Sequence, residues 1–377
     1  MDARRPTVYD VAARANVSIA TVSFAFSRPD QISDKTRERV LVAARELGYM
    51  PSAAARGLAR GRTGALGLHS FDLLIDRPQG REPDGTVTAP RGVSLPPGES
   101  FVPWDDASGD YLVDPRAFPL YVDEVQRGFE LECRAAGRPV MISSGSDTTT
   151  AVAESAGRVD GLAIFPGPSA AVSLAQVTLK MPIVLFSTPP AGDGHHRVLA
   201  DNAGGMRELV THLVRDHGAS DFAFIGAVRV ADYRERFEAY RETLADFGIR
   251  TPDTPFDDSL LGEDLGYTPV LAALRDGTLP RVLVCASDQL ALPLLDLLAV
   301  HGLRVPDDVI VTGFDGILAG RLSTPTLTTV RQPLEAMGRT AARLLLDSRG
   351  PGSDAPVVAR IGTKVVLRRS CGCSDAG

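Results

Sequence analysis

The sequence predicts an α/β chain with a small all-helical head, and three observations carry that prediction. Residues 1–62 show only helical periodicity broken by turn residues. From Gly64 onward, short apolar strands alternate with amphipathic helices, the pattern of parallel sheets joined by crossover helices. Charge divides along the same line. Residues 1–62 hold eleven Arg and Lys against six Asp and Glu, or +5, and because the whole chain is −7 the remainder carries −12.

In the head, Thr7 is placed to cap a first helix, with Asp10 three residues on in a capping-box arrangement. Val8, Val11, Ala12 and Ala15 fall on one helical face and are expected to pack inward. Asn16 stands where the chain must turn sharply, and Asn tolerates the left-handed conformation. Ser18 caps a second helix running to about Ser27, with Val22 as its inward anchor. Ser33-Asp-Lys-Thr36 opens a third, whose Val40, Ala43, Ala44 and Leu47 close the core and which Gly48 stops. Two short helices joined by a tight turn form a helix-turn-helix, a unit shaped to lay its second helix in the DNA major groove. Ile19, Ala20 and Phe24 would then face base edges. Thr7, Tyr9, Ser18, Thr21, Ser23 and Thr36 are expected against the DNA backbone, where contacts position without reading sequence. A basic head on an acidic body puts phosphate attraction where this motif lies.

In the body, strands are expected at Ala65–His69, Val140–Ser143, Gly161–Phe165, Ile183–Phe186, Phe222–Ile225, Val282–Ala286 and Val309–Gly313. Helices are expected at Val122–Ala136, Gly204–Asp216, Arg234–Phe247, Asp288–His301 and Pro333–Asp347. That is more than one sheet of usual size holds, and ligands of such folds bind at the carboxyl ends of strands. The length of 377 residues accommodates a small head and two lobes. Apolar content of 44% and charged content of 23% are ordinary for a soluble globular chain, no apolar run is long enough to span a membrane, and the charged N-terminus is no signal peptide. Cytoplasm is the expected compartment, with no membrane partner. The chain has no P-loop, no Gly-x-Ser-x-Gly elbow and no His-Glu-x-x-His, so an enzyme is not expected. Cys133 and Cys285 read as buried, inert thiols. Cys371-Gly-Cys373 offers too few ligands for a structural zinc site by itself, and the six histidines, His195-His196 among them, read as scattered surface residues. No metal and no cofactor are expected.

Several blocks resemble the lactose-repressor (LacI/GalR) family of transcriptional regulators. Gly48-Tyr-Met-Pro-Ser-Ala-Ala-Ala-Arg-Gly-Leu58, followed by a basic glycine linker, is similar to that family's hinge helix. Asp201-Asn202, Tyr233-Arg-Glu-Arg-Phe-Glu-Ala-Tyr240, Cys285-Ala-Ser-Asp-Gln-Leu-Ala291, Val311-Thr-Gly-Phe-Asp315 and Thr328–Gly338 match further blocks in order. The resemblance implies a helix-turn-helix head at 1–50, a hinge helix and linker at 51–63, and at 64–377 a two-lobed body like the periplasmic sugar-binding proteins. The first lobe is expected at about 64–200 plus 331–350 and the second at about 201–330 plus 362–370, with crossings near 201, 330 and 350–362. It also implies a homodimer on double-stranded operator DNA, with Leu58 entering the minor groove beside Ala55 and Arg56. Alternatively, the short segment is a plain linker whose leucine docks on the body.

Carried over by position, Arg236 and Asp315 match the family's main contacts with a small-molecule effector, most often a sugar. Ser287 and Asp288 stand where Asn-Asp is more usual. The chemistry suits a polyol, since arginine offers a fork of donors and carboxylates accept from hydroxyls. Competing readings are an exposed helix charge for Arg236, a turn carboxylate for Asp315 and a helix cap for Asp288. The expected function is a DNA-binding regulator, a repressor, controlled by a metabolite held between the lobes; the alternative is a sugar-binding protein without DNA regulation. Two departures stand out. Phe24 replaces the family's arginine after Thr-Val-Ser, which points to an altered operator. Residues 72–117, with the sole tryptophan Trp104, form an insertion that is either disordered or a lid over the cleft.

Overall fold

A computed structural model describes residues 6–49, 63–70, 120–144, 155, 158–165, 181–260, 266–348, 350 and 355–374. Ala55, Arg56, Leu58, the 72–117 insertion and Trp104 lie outside the described residues. The chain divides into two compact units, residues 1–64 with 157–160, and residues 65–156 with 161–377.

The head is three helices, α1 (Val8–Ala15), α2 (Ile19–Ser27) and α3 (Asp34–Leu47). Each start is set locally. The backbone N–H and hydroxyl of Thr7 both donate to Asp10 Oδ2 at 2.7 Å. Ser18 and Ser33 accept from the N–H groups of Thr21 and Thr36 at 3.1 and 3.3 Å, satisfying donors that a helix N-terminus leaves open. Asn16 adopts the left-handed conformation at φ 50°, making the tight turn between α1 and α2. Val11, Ala15, Val22, Ala25, Val40, Ala43 and Ala44 close a small core against which Val8 and Leu47 pack.

The body holds two sheets. The first is parallel throughout and runs β10-β5-β4-β3-β1-β2: β1 Leu66–Ser70, β2 Val140–Ser144, β3 Leu162–Phe165, β4 Ile183–Phe186, β5 His196–Ala200 and β10 Val358–Ile361. The second runs β11-β9-β8-β7-β6: β6 Phe222–Ile225, β7 Val282–Cys285, β8 Ile310–Asp315, β9 Thr328–Arg331 and β11 Lys364–Val366, with only β11 antiparallel. The body's helices are α4 (Leu120–Ala135), α5 (Asn202–His217), α6 (Ala231–Asp246), α7 (Thr268–Asp276), α8 (Asp288–Val300), α9 (Leu318–Leu322) and α10 (Leu334–Asp347). Because β5, β9 and β10 end where they do, the backbone passes between sheets at 201, 332–333 and 362–363.

A core of Leu66, Leu68, Phe129, Phe165, Phe186 and Met337 holds the first sheet to α4 and α10. These two helices cross closely because Gly128 and Gly338 carry no side chain. A Cβ on Gly128 would enter the Glu335 carbonyl, and one on Gly338 would enter that of Val125. A second core, with Phe224, Phe237, Tyr240, Leu294 and Phe314, fills the other sheet. Among the described residues no helix is long and apolar enough to cross a membrane.

The structure corrects the reading of the histidines. His196 opens β5 and is buried, and His69 on β1 is fully buried with Nδ1 3.0 Å from Ser143 Oγ. The segment resembles a loop in sequence because it begins His-Arg. Burial is possible because Arg197 is neutralised by Asp193 at 2.8 and 2.7 Å and donates to the carbonyls of Pro189 and His195 at 3.0 and 2.7 Å.

Candidate functional site

The head and the body each present one candidate surface. On the head, α2 shows solvent Ser18, Ile19, Ala20 and Ser23, while Thr21 and Phe24 are half-buried. Tyr9 is 67% exposed at the start of α1 and Ile19 is 42% exposed. Hydroxyls stand at all three helix starts: Thr7, the pair Ser18 and Thr21 at 2.9 Å, and the pair Ser33 and Thr36 at 2.9 Å. Helix N-termini carrying free hydroxyl valence suit phosphate oxygens, because the backbone dipole there is positive. Phe24 is less outward than its spacing suggests, which leaves Ile19 and Ala20 as the most projecting apolar groups of the helix.

In the body, the second sheet delivers polar side chains at the carboxyl ends of β7, β8 and β9. Ser287 and Asp288 follow β7, Asp315 ends β8, and Gln332 follows β9. Helix α6 supplies Tyr233 and Arg236 from above. Arg236 is 2% exposed, so it is no surface helix charge. Its Nε donates to Asn202 Oδ1 at 2.8 Å and its Nη1 to the Ala286 carbonyl at 2.6 Å, with Asp315 Oδ1 at 3.5 Å. The guanidinium lies 3.7 Å over the Phe314 ring, a cation–π contact in a dry setting. Its other amino group, Nη2, has no hydrogen-bond partner among the described residues. Tyr233 donates to Ser287 Oγ at 3.0 Å, and Ser287 in turn caps α8 by accepting from Leu290 N–H.

Asp315 accepts from Gln332 Nε2 at 2.6 Å and sits at φ 119°, a conformation costly for a non-glycine residue. The Gln332 carbonyl oxygen is buried without a partner among the described residues. Asp288 is wholly buried and engaged at both oxygens, by Thr329 Oγ1 at 2.6 Å and Ile317 N–H at 2.8 Å. Burial pushes Asp288 up to about 8, with the nearby Asp315 charge adding to the rise. Burial also raises Asp315, to about 6, less far because Arg236 and the Gln332 hydrogen bond favour its charged form. A donor fork, a neighbouring carboxylate and an unmet amide oxygen make a set that hydroxyl-rich molecules can satisfy. A cavity of about 330 Å³ opens beside it, lined by Glu124, Arg127, Arg331 and Glu335, and Gln332 belongs to both.

The family model for bacterial regulatory proteins of the lacI family matches residues 7–52, and that for the periplasmic binding protein-like domain matches residues 210–371. An HTH-type transcriptional regulator of Mycobacterium tuberculosis is 30% identical over 391 residues, covering 98% of this chain and 98% of its own. The chain belongs to the LacI family. It is a DNA-binding transcriptional regulator, and its relatives are regulators, not enzymes. Among solved structures, the lac repressor dimer bound to operator and the anti-inducer ONPF shares the fold at a TM-score of 0.73 and 22% identity, covering 98% of this chain and 99% of that one. The complex of the transcriptional regulator CelR with cellobiose gives a TM-score of 0.59 at 26% identity, covering 97% of this chain and 100% of that one.

In this LacI-family regulator the four residues singled out in the body come together: Arg236 pairs with Asp315 and lies over the Tyr233 ring, Tyr233 donates to Ser287, and Asp315 accepts from the backbone N–H of Asp288. Sequence reasoning missed Asn202, Tyr233, Thr329 and Gln332 as members. Asn202 and Gln332 sit in matched blocks, but nothing in their spacing shows that they meet a guanidinium and a carboxylate more than fifteen residues away in sequence. Asp201 caps α5 by accepting from Gly204 N–H at 3.0 Å, a structural duty.

Proposed function

We propose that this regulator is a homodimeric repressor that grips a twofold operator and is released or tightened by a sugar bound against Arg236, Ser287 and Asp315. Thr7, Tyr9, Ser18, Thr21, Ser23 and Thr36 contact the DNA backbone, Ile19, Ala20 and Phe24 meet base edges, and Ala55, Arg56 and Leu58 work from the hinge segment. The working parts are the head at 1–50, the hinge at 51–63 and the body at 64–377. Asp288 anchors the pocket wall from behind and does not touch the ligand, since both its oxygens are engaged. A dimer follows from the few base contacts one small head can make.

The observation that carries the sugar reading is the convergence of Arg236 from α6 with Asp315 and Gln332 at the ends of β8 and β9, with one donor and one acceptor unmet. The cellobiose complex of CelR and the ligand-bound lac repressor support it by analogy of fold. The test is a thermal-shift screen of mono- and disaccharides, followed by operator binding with and without the hit. The expected result is a stabilising sugar that changes operator affinity at least about fivefold, a typical allosteric coupling. A protein that ignores every sugar, or whose hit leaves DNA affinity unchanged, overturns the proposal.

A further inference from the structure

The C-terminal end of the chain meets the end of α5 in an arrangement that neither the regulator's DNA surface nor its cleft uses. A short 3-10 turn, Arg369–Cys371, is followed by Gly372 at φ 98°, which bends the chain so that Cys371 and Cys373 both face inward. Cys371 is buried and Cys373 half-buried. From α5 come His212 and, at its last position, His217. Cys373 Sγ lies 3.5 Å from His212 Nε2 and 3.4 Å from His217 Nε2, and the two Nε2 atoms are 3.0 Å apart. One ligand atom from each of His212, His217, Cys371 and Cys373 falls within 4.8 Å of the others.

We propose that these four side chains form a tetrahedral zinc site that fastens the C-terminal turn to α5. Zn–N bonds of about 2.0–2.1 Å and Zn–S bonds of about 2.3 Å place tetrahedral N···N and N···S neighbours roughly 3.3 and 3.5 Å apart. The N···S separations of 3.4 and 3.5 Å already match, and the N···N separation of 3.0 Å needs only a slight widening. Cys371 closes the set by turning its Sγ away from Thr328 Oγ1, now 3.1 Å distant. His212 Nδ1 is 2.6 Å from Asp216 Oδ2. A proton held there leaves Nε2 as a bare lone pair aimed at the cluster, the carboxylate–histidine arrangement that orients metal ligands. Without a metal the Nε2 and Sγ atoms share protons in hydrogen bonds to one another, and a soft dication can replace those protons and take all four ligand atoms at once. Cys-x-Cys alone cannot make such a site. The fold supplies the two histidines from more than 150 residues away in sequence.

The experiment uses the untagged full-length chain, equilibrated with Zn²⁺, desalted, and analysed for zinc by mass spectrometry of the elements. About one zinc per chain is expected, and Co²⁺ in its place is expected to show thiolate-to-metal charge transfer and tetrahedral d–d bands. Cys373→Ser and His217→Asn lose the metal and the charge-transfer band, whereas Cys133→Ala keeps both. Asp216→Asn keeps the ligands and weakens zinc binding about 10–100-fold. If Cys373→Ser does not fold, His212→Gln, judged by circular dichroism, replaces it. Absence of zinc at micromolar free Zn²⁺, a Co²⁺ spectrum without thiolate bands, or a mass deficit of two hydrogens showing a Cys371–Cys373 disulfide overturns the proposal.

Discussion

Replacing Asp288 by Asn tests whether the buried carboxylates are held as argued. Asp288 is pushed up to about 8 by burial and by Asp315, against an ordinary value of 3.8. A carboxyl whose folded value lies above its unfolded one binds more proton when folded, so stability falls as pH rises from about 4 to about 8. Below that window the group costs nothing, and above it the full penalty applies. Integrating a single site between these two values gives a loss of about 3 kcal/mol from pH 5.5 to pH 8. Asp315, raised only to about 6, adds less than about 1 kcal/mol over the same interval. Asn keeps the geometry: its oxygen accepts from Ile317 N–H and its amide donates to Thr329 Oγ1, whose hydroxyl rotates to suit. Urea unfolding of the wild type and Asp288→Asn at pH 5.5, 6.5 and 8.0 reads the difference, with all other titrating groups common to both. The variant is expected to gain on the wild type by about 3 kcal/mol as pH rises. Parallel stability curves would refute the reasoning, because they would mean that Asp288 is ionised and fully compensated throughout.

Arg236→Lys keeps the charge but loses the planar fork that reaches Asn202, Ala286 and Asp315 together, and is expected to abolish the sugar-induced thermal shift while operator binding persists. Gly338→Ala places a methyl in the Val125 carbonyl where α4 and α10 cross, and is expected to cost about 1–3 kcal/mol, read as a lowered unfolding midpoint. Phe24→Arg adds a bidentate donor to α2, and binding-site selection is expected to shift one base of each half-site to guanine; unchanged selected sites would place residue 24 off the base edges.

The elements legible in the sequence are those whose periodicity is strong and whose ends carry capping chemistry. Ser18, Ser33, Asn16 and Gly48 mark the head within a residue because each acts on its own backbone. The strands β3, β4, β6 and β7 are continuous apolar runs, buried along their whole length, and read as such. What escaped is polar and buried. β5 begins with His196-Arg197, and β9 with Thr328-Thr329; a sequence cannot show that Asp193, Asp288 and Ser370 satisfy them from elsewhere. The same blindness hid Gln332 and joined the C-terminal cysteines to no partner, since the residues that complete each cluster arrive from distant turns of the chain.

Each crossing between the two sheets is tied to the Arg236 network or its helix by a side chain. At the first, Asn202 accepts from Arg236 and donates to Asp232 and Glu235 on α6 at 3.0 and 2.8 Å. At the second, Gln332 holds Asp315. At the third, Arg360 pairs with Glu235 at 3.0 Å, and Thr363 donates to the Asp201 carbonyl at 3.1 Å. A ligand that takes over the donors of Arg236 or the carboxylate of Asp315 competes with bonds that hold two of these strands of backbone. On the proposed function, such a ligand would act at the crossings directly, through the side chains that tie them. Differential affinity for two arrangements is what an effector must have to shift an equilibrium, and on that proposal the bonds at the crossings would supply it.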